Sequence, residues 1–245
     1  MNPHPGSGFG VCLNLVTSVM PVMLAVMSEM FQKLFHDAGH GEGGALAALA
    51  SRDDDIKRAI DTYGAPADRA LPASFETLAK AIVGQQVSRA AATSIWNRMD
   101  AAGLVAETTI ANSTTETMMT AGLSRRKAEY LIGLAMEITS GALDLAELGQ
   151  LPGDEVQARL TRIRGIGAWT ADNYRLFALA DMDAWPINDI ALQEGMRLLK
   201  SLDARPTADE LDKLGADWRP YRGAGALVLW HLYGVIVRKV TVADI

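Results

Sequence analysis

The carboxylate of Asp189 is the side chain in this sequence whose setting most suggests chemistry. It follows the sequence Pro186-Ile-Asn, and we expect Pro186 to end a loop so that Asp189 begins the next helix. Aspartate is favoured at a helix start because its oxygens accept hydrogen bonds from unpaired backbone N–H groups. Taken by itself, the residue is therefore either a helix cap or a catalytic carboxylate, and its surroundings must decide between the two.

Two helical patterns meet at Gly165-Ile166-Gly167, about twenty residues before this aspartate. The connection is long enough only for a tight hairpin, in which glycines permit positive φ angles and let another backbone approach closely. The turn leaves the first N–H groups of the next helix unpaired and pointing outward, which favours a phosphate there. A plain helix–helix turn also explains the glycines. The complete frame, L-x-x-I-x-G-I-G-x-x-T-A, resembles the helix-hairpin-helix element of DNA-binding proteins.

Together, the hairpin and the Pro-x-x-Asp sequence resemble the helix-hairpin-helix, Gly/Pro/Asp superfamily of DNA glycosylases, and within it the bacterial 3-methyladenine DNA glycosylase II branch. The resemblance covers roughly residues 52–238. It shows in order in FETLAKAIVGQQVS (75–88), GLSRRKAEYLIGL (122–134), the hairpin with Trp169, and WRPYRGAGALVLW (218–230). In that superfamily the aspartate is catalytic, so the resemblance implies that Asp189 is the catalytic carboxylate.

The residue that follows the hairpin limits the chemistry that the resemblance implies. Bifunctional members have a lysine in the Gly-x-Gly-x-Lys position that attacks the sugar, whereas this sequence has Trp169 there. With no amine nucleophile, the attacking group should be water. Departure of the base leaves oxocarbenium character at C1′, which a carboxylate stabilises while it orients or deprotonates the water. The expected activity is monofunctional hydrolysis of alkylated purines such as 3-methyladenine, which are cationic and leave easily, from duplex DNA.

An enzyme that acts on a base inside duplex DNA must flip it out and hold it by stacking. The resemblance implies a base pocket with Trp169 and Trp230, whose ring faces attract a cationic purine. The family pattern often has an aromatic residue four positions after Trp169. This sequence has Asn173 there and Tyr174 next, and we assign both to the base pocket. For the two tryptophans, packing in a hydrophobic core is the alternative.

The remaining predicted contacts are with the DNA around the lesion. Gln86 matches the residue that fills the gap left by the flipped base. Arg125 lies in the first turn of a helix, where the helix dipole disfavours a positive charge unless a phosphate is near. A solvent-facing position is the alternative for both. The predicted DNA-binding residues are Gly165, Ile166, Gly167, Thr170, Gln85, Gln86, Ser88 and Arg125.

Composition excludes several other classes of site. The single cysteine, Cys12, cannot build a disulfide framework, a four-cysteine iron–sulfur cluster or a cysteine zinc site. The four histidines are scattered, and the pair His36 and His40 lies beside a glycine-rich run, so we expect no metal site. We expect no cofactor, and leave open only a monovalent cation at the hairpin. The net charge of −6 argues against coating nucleic acid by bulk charge, although residues 156–240 carry a net charge of +2.

The elements that must position these residues are predicted to be helices. From about residue 52 onward apolar residues recur at helical spacing, and no strand pattern or repeat is present. Ser74, Ser88 and Ser124 are predicted to cap three helices. Further helices are predicted from Asp154, at 168–180, after Pro186, near 207–215 and near 222–238. We predict an all-α fold of two helical lobes over residues 51–245, with the hairpin element and the active-site cleft between the lobes.

Residues 1–50 are assigned to an N-terminal extension, apolar and then glycine-rich. The apolar stretch 9–27 is interrupted by polar residues and Pro21, and no lysine or arginine precedes it as in a secretory signal. It is either a weak membrane anchor or, as we favour, a poorly ordered extension upstream of the true start, with Met27 or Met30 as initiator. We expect a monomer that acts on damaged double-stranded DNA in the cytoplasm, at the nucleoid, and not at a membrane.

Three other functions remain open. A bifunctional or oxidised-base glycosylase of the same fold is disfavoured by Trp169 in the lysine position. A non-catalytic helix-hairpin-helix protein that only binds DNA does not account for the Pro-x-x-Asp sequence or the tryptophans. A membrane-associated helical protein rests on residues 9–27 alone.

Overall fold

The structure is a computed structural model that describes residues 44–67 and 69–239. Within these ranges the chain forms thirteen α-helices and no β-strand, so the all-α prediction is confirmed. The helices are α1 (Ala45–Ala50), α2 (Asp54–Tyr63), α3 (Phe75–Gly84), α4 (Arg89–Ala101), α5 (Glu107–Ala111), α6 (Thr115–Thr120), α7 (Arg125–Thr139), α8 (Leu145–Leu148), α9 (Gly153–Thr161), α10 (Ala168–Ala178), α11 (Ile190–Leu199), α12 (Ala208–Leu214) and α13 (Arg222–Leu232). A 3₁₀ helix (Ala216–Trp218) precedes α13, and a π-helical turn (Tyr233–Val237) follows it.

Short polar side chains begin the helices where the sequence predicts them. The hydroxyl groups of Ser74, Ser88 and Ser124 accept hydrogen bonds from the backbone N–H groups of the first turns of α3, α4 and α7. Each such cap contributes about 1 kcal/mol to helix stability. The helix predicted from Asp154 begins one residue earlier, at Gly153.

Two hydrophobic cores divide the described chain into two lobes. The first lobe is built around α3–α10, and the second around α1, α2 and α11–α13. Helix α10 belongs to both, since Tyr174 packs in the first core and Leu176 in the second. The second lobe therefore joins both ends of the described chain, and α10 connects the two lobes.

Helix α1 departs from the predicted division at residue 50. Ala45, Leu46 and Leu49 are buried in the second core, and Leu49 is 0% exposed. For residues 45–50 the prediction of a poorly ordered extension is wrong, because this short apolar segment completes the second core. Residues 1–43, with the apolar stretch 9–27 and the pair His36 and His40, lie outside the described residues. In the part of the chain that is described, no helix is long and apolar enough to cross a membrane.

Close packing of α11 against α13 fixes the start of α11. A Cβ atom at Gly195 would lie 2.4 Å from the carbonyl oxygen of Leu229, so the two helices approach closely at this glycine. A side chain larger than hydrogen at this position would push them apart. The contact brings Asp189, which precedes α11, close to Trp230 on α13.

Candidate active site

The side chain of Asp189 connects three helices. Its Oδ1 atom accepts a hydrogen bond from the backbone N–H of Leu192 at 2.8 Å and thereby caps α11. The carboxylate also accepts from Trp169 Nε1 on α10, at 2.7 Å to Oδ2, and from Trp230 Nε1 on α13, at 3.1 Å to Oδ1. The structure thus brings the predicted catalytic and pocket residues into one hydrogen-bonded group. Asp189 can cap α11 and accept from both tryptophans at the same time, because a carboxylate has enough acceptor positions for all of these hydrogen bonds.

Each of the two tryptophans is held through its indole N–H group, and this fixes the orientation of its ring. Trp169 remains 44% exposed although its N–H is bound, so core packing does not account for it. Trp230 is half-buried and stacks on Phe177, with ring centroids 5.7 Å apart and 25° between the planes. Two indole N–H groups from different helices therefore converge on one carboxylate. The exposed face of Trp169 is available for stacking.

Asn173 shares a face of α10 with Trp169 and Phe177, since the three residues are four positions apart. Its Nδ2 atom donates to the carbonyl oxygen of Trp169 at 2.7 Å. Trp169 binds Asp189 and Phe177 stacks on Trp230, so the half-exposed Asn173 lies between two residues that contact the candidate site. Its placement agrees with a pocket position.

The prediction that Tyr174 lines the base pocket is wrong. Its side chain is 3% exposed and packs in the core of the first lobe. Successive residues of a helix point about 100° apart, so the residue after Asn173 faces the core instead of the cleft. This burial raises the pKa of the phenol.

The two glycines of the hairpin differ in whether their positions could accommodate a side chain. Gly165 has φ +99°, and a Cβ atom there would lie 2.4 Å from the ring of Tyr130. Gly167 has φ −91°, and a Cβ atom there would meet nothing within 4 Å. Gly165 is therefore needed for the fold, whereas Gly167 leaves open space above the hairpin. Ile166, which lies between the two glycines, is buried and fills the space at the turn between the two helices.

Helix α10 presents backbone donors at the hairpin. Its first backbone hydrogen bond runs from the N–H of Ala171 to the carbonyl of Gly167, so the N–H groups of residues 168–170 precede the helical ladder. The side chains of Thr170 and Ile166 are buried, which limits any DNA contact of these two predicted DNA-binding residues to their backbone groups. Their backbone groups remain the only part that could serve in that role, because both side chains point into the lobe.

The turn between α3 and α4 is joined to the hairpin. Gln85 Nε2 donates to the carbonyl oxygen of Gly165 at 2.9 Å, so the Gln85 side chain holds the turn. Gln86 is exposed with φ +56°, a conformation that few residues other than glycine adopt. Ser88 is exposed and caps α4, and Arg125 is exposed and pairs with Glu116 at 3.1 Å. Of these four predicted DNA contacts, Gln86 alone has a side chain that forms no hydrogen bond or ion pair with another described residue.

Two arginines outside the predicted site anchor the loop before Asp189. Arg222 at the start of α13 donates to both carboxylate oxygens of Asp183, from Nε at 2.8 Å and from Nη2 at 2.7 Å. Arg175 on α10 donates from Nε to Asp181 at 2.9 Å. Helices α10 and α13, which carry the two tryptophans, thus also hold the loop that carries Asp189. The sequence signal that could have indicated this anchor is the pair Asp181-x-Asp183 shortly before Pro186.

A cavity of about 590 Å³ adjoins this anchored loop, with Trp169, Asn188 and Arg222 in its wall. Neither Asp189 nor Trp230 lines it. Asp172, which also lines the cavity, is 4% exposed and accepts from Gln157 Nε2 and Arg175 Nη1, each at 2.8 Å. Burial outweighs the attraction of Arg175 and raises the pKa of Asp172 to about 6. In the described ranges, no group of three or more His, Cys, Asp or Glu side chains could hold a metal ion.

Comparison with known proteins finds one matching family model and several similar proteins. Residues 79–220 match the family model described as HhH-GPD superfamily base excision DNA repair protein. The chain is 30% identical over 190 residues to DNA-3-methyladenine glycosylase 1 of Schizosaccharomyces pombe, an alignment that covers 74% of this chain and 83% of that protein.

Two Bacillus subtilis proteins are also similar. YfjP is 36% identical over 108 residues, which is 44% of this chain and 38% of that protein. A DNA-3-methyladenine glycosylase is 27% identical over 175 residues, which is 66% of this chain and 58% of that protein. The alignments therefore span less than two thirds of the length of these two relatives. Among solved structures, the Schizosaccharomyces pombe 3-methyladenine DNA glycosylase in complex with abasic DNA superposes with a TM-score of 0.67 at 29% identity, covering 81% of this chain and 98% of that one.

Proposed function

Because the chain belongs to the HhH-GPD superfamily of base excision DNA repair proteins, we propose that it is a monofunctional DNA glycosylase that hydrolyses the N-glycosidic bond of alkylated purines, such as 3-methyladenine, in duplex DNA. The observation that carries the proposal is the carboxylate of Asp189 between the indole N–H groups of Trp169 and Trp230. Relatives named as 3-methyladenine glycosylases support the substrate class.

In this proposal Asp189 stabilises the positive charge that develops at C1′. A carboxylate offers about four lone-pair positions, and three of them are occupied by N–H donors. The remaining position belongs to Oδ2, because Oδ1 already accepts twice. Fixed donors hold the carboxylate in place before the reaction begins, which is the condition for electrostatic stabilisation of a transition state. The Oδ2 position then orients or deprotonates the attacking water.

The exposed face of Trp169 stacks on the flipped base in this proposal. A cationic alkylpurine gains about 0.5–2 kcal/mol over the face of an indole ring, which favours it over a neutral base. Asn173 places a polar group between Trp169 and Phe177, at the position where the family pattern often has an aromatic residue. Gln86 occupies the gap left by the base, and the N–H groups of residues 168–170 bind the phosphate next to the lesion.

Water is the nucleophile in this proposal because no lysine among the described residues forms a hydrogen bond or ion pair with Asp189. Trp169 replaces the hairpin lysine, and its N–H binds the carboxylate. Lys127, in the segment that resembles the family, donates to the carbonyl of Val83 at 2.7 Å, away from Asp189. We infer that the reaction needs no cofactor. The monovalent cation at the hairpin stays a prediction, as do a monomeric state and action at the nucleoid.

The proposal is tested by release of methylated bases from alkylated duplex DNA. The wild-type chain should release free 3-methyladenine and leave an abasic site in an uncut strand. Asp189→Asn should lower the rate by at least about 10³-fold, since it removes the charge that stabilises the transition state, while asparagine still caps α11. Asp203→Asn, an exposed aspartate beyond the opposite end of α11, is the matched control and should behave as wild type.

Three results would contradict the proposal. Near-normal release by Asp189→Asn would show that the carboxylate is not catalytic. A covalent complex trapped by borohydride would show an amine nucleophile and therefore the bifunctional alternative. Binding without any release of a base would favour the non-catalytic alternative.

A further inference from the structure

The cavity beside the loop of Asp189 is a separate compartment from the candidate base pocket. Its volume of about 590 Å³ is in the range of small-molecule sites in proteins. Trp169 lines it, whereas Asp189 and Trp230 do not. On α10, Asp172 and Arg175 lie to one side of Trp169, and the residues that face the candidate base pocket lie to the other. The 44% exposed ring of Trp169 therefore borders both compartments.

One oxygen of the buried Asp172 carboxylate faces this cavity without a partner. Both hydrogen bonds to the carboxylate, from Gln157 Nε2 and Arg175 Nη1, are accepted by Oδ1. Within residues 44–67 and 69–239, no donor binds Oδ2, and this oxygen is not fully enclosed by protein atoms. Because Asp172 is 4% exposed and lines the cavity, Oδ2 opens into it. A carboxylate oxygen in such a place favours a ligand that brings an N–H donor.

The charges of the cavity wall disfavour a phosphate. The wall contains two more carboxylates than guanidinium groups, namely Asp154, Asp172, Asp181, Asp183 and Asp212 against Arg175, Arg219 and Arg222. Each of the three guanidinium groups already pairs with one of these carboxylates. An anion would meet excess negative charge and no free arginine, so the ligand is neutral or cationic. Trp169 and Trp185 give the same wall two indole rings, which suits a flat aromatic ligand.

We propose that this cavity binds a free purine base, which donates an N–H group to Asp172 Oδ2 and packs against Trp169. This inference rests on the proposed function and extends it, because the base released at Asp189 passes Trp169 and is held in the cavity before it leaves the protein. Cleavage detaches the base from the phosphates that the wall repels, so a free base fits where a nucleotide does not.

Asn188 gives the proposed site a second polar group. It is exposed, lines the cavity and directly precedes Asp189 in the chain. Its side chain forms no hydrogen bond with another residue of the described part, so its amide is free to donate to a ring nitrogen or accept from an amino group. Purine bases carry both kinds of group. The two polar contacts lie on either side of Trp169 in the sequence, one on α10 and one in the loop before α11.

Calorimetric titration of the full chain with 3-methyladenine, in the absence of DNA, tests the inference. Caffeine is the matched ligand, because it is a flat methylated purine without an N–H group. The wild type should bind 3-methyladenine at least about 10-fold more tightly than caffeine, the equivalent of one hydrogen bond to a charged acceptor. Asp172→Asn should remove this preference, since its amide can still accept from Gln157 and Arg175 but presents a donor to the cavity in place of Oδ2.

Three further variants locate the bound base. Asn188→Ala loses no hydrogen bond to a described residue and should fold as the wild type does, yet it should bind 3-methyladenine several-fold more weakly. Trp230→Phe should leave this affinity within about 2-fold, because Trp230 does not line the cavity. Asp203→Asn, the exposed aspartate beyond α11, should leave it unchanged.

An absence of binding to 3-methyladenine, or equal affinity of the wild type for caffeine, would overturn the inference. Weaker binding in Trp230→Phe together with wild-type binding in Asp172→Asn would also overturn it, because the free base would then lie in the pocket at Asp189. Release of methylated base from alkylated duplex DNA distinguishes the two proposals. A wild type that releases no base refutes the glycosylase function, whereas release without binding of the free base refutes only the cavity site.

Discussion

At the scale of single residues, the proposed active site consists of one carboxylate and the groups that hold it. Asp189 accepts three N–H donors, of which one belongs to its own helix and two to tryptophans on α10 and α13. Hydrogen bonds to a charged group contribute about 1.5–3 kcal/mol each. The loss of one indole donor should therefore shift the carboxylate or weaken the stabilisation of its negative charge. Ile190, the next residue, is 60% exposed, and the sequence patterns assign it no role.

Replacement of Trp230 by phenylalanine separates stacking from hydrogen bonding. Phenylalanine can still pack on Phe177 but cannot donate to Asp189. We expect kcat for base release to fall by about 10- to 100-fold, the equivalent of one charge-assisted hydrogen bond, with little change in DNA affinity. Single-turnover release and anisotropy titration measure the two quantities. Loss of affinity without loss of kcat would mean that Trp230 holds the base and not the carboxylate.

At the scale of elements, the hairpin and the turn of Gln85 and Gln86 form one unit. The hydrogen bond from Gln85 to Gly165 joins them, and the ring of Tyr130 on α7 packs against the same glycine. Three separated segments that resemble the family, 75–88, 122–134 and the hairpin, thus meet at one point. Segments that are far apart in the sequence are therefore joined at Gly165.

The two hairpin glycines give a paired prediction. Gly165→Ala should lower the free energy of unfolding by about 1–3 kcal/mol or more, because alanine is strained at a positive φ angle and would also collide with Tyr130. Gly167→Ala should change it by less than about 1 kcal/mol but should weaken DNA binding, since its Cβ atom would occupy the open space where we propose that a phosphate binds. Urea denaturation and anisotropy test the pair. Equal effects of both substitutions on stability would contradict the distinction.

At the scale of the whole molecule, ion pairs in and beside the cleft hold the two lobes around the loop of Asp189. Asp181 is paired with Arg175 of α10 and Asp183 with Arg222 of α13. The N–H of Gly223 also donates to the carbonyl of Met182, at 2.6 Å. The short segment 181–183 is therefore bound from both sides, and this fixes the path of the chain towards Asp189.

Asp183→Ala should destabilise the protein more than Arg222→Met does. The first change leaves the buried guanidinium of Arg222 without its close carboxylate, which costs about 3–5 kcal/mol. The second leaves Asp183 with Arg219, whose Nη1 atom donates to it at 3.0 Å. The double variant should recover part of the loss. Thermal unfolding of the four proteins forms a double-mutant cycle, and additive losses would show that the pair is not coupled.

The pKa of Asp172 predicts a dependence of stability on pH. A carboxyl group whose pKa is raised from 3.8 to about 6 on folding favours the folded state below pH 4, and this contribution is lost as the pH rises through 6. Asparagine imitates the protonated form and does not titrate. The stability of the wild type relative to Asp172→Asn should therefore decrease by about 1–3 kcal/mol between pH 4 and pH 7. A constant difference across this range would contradict the raised pKa.

Local features of this protein follow from the amino-acid sequence alone. Serine caps, helical periodicity and the hairpin glycines depend on residues within a few positions of one another, so Ser74, Ser88 and Ser124 begin helices as predicted. The hairpin, Trp169 in the lysine position and the Pro-x-x-Asp sequence are also sufficient to indicate the superfamily. These signals can be interpreted without knowledge of the packing because backbone geometry and covalent order set them.

The packing of the helices determines which distant side chains meet. Trp169 and Trp230 are 20 and 41 residues from Asp189, and their donation to its carboxylate follows from the packing of α10, α11 and α13. Packing also places Tyr174 in a core and leaves Asn173 half-exposed beside Trp169, a difference of one helical step. Residues 45–50 likewise enter the second lobe through contacts with the opposite end of the described chain. Such contacts depend on how helices pack across the whole molecule. Local sequence patterns do not predict this packing.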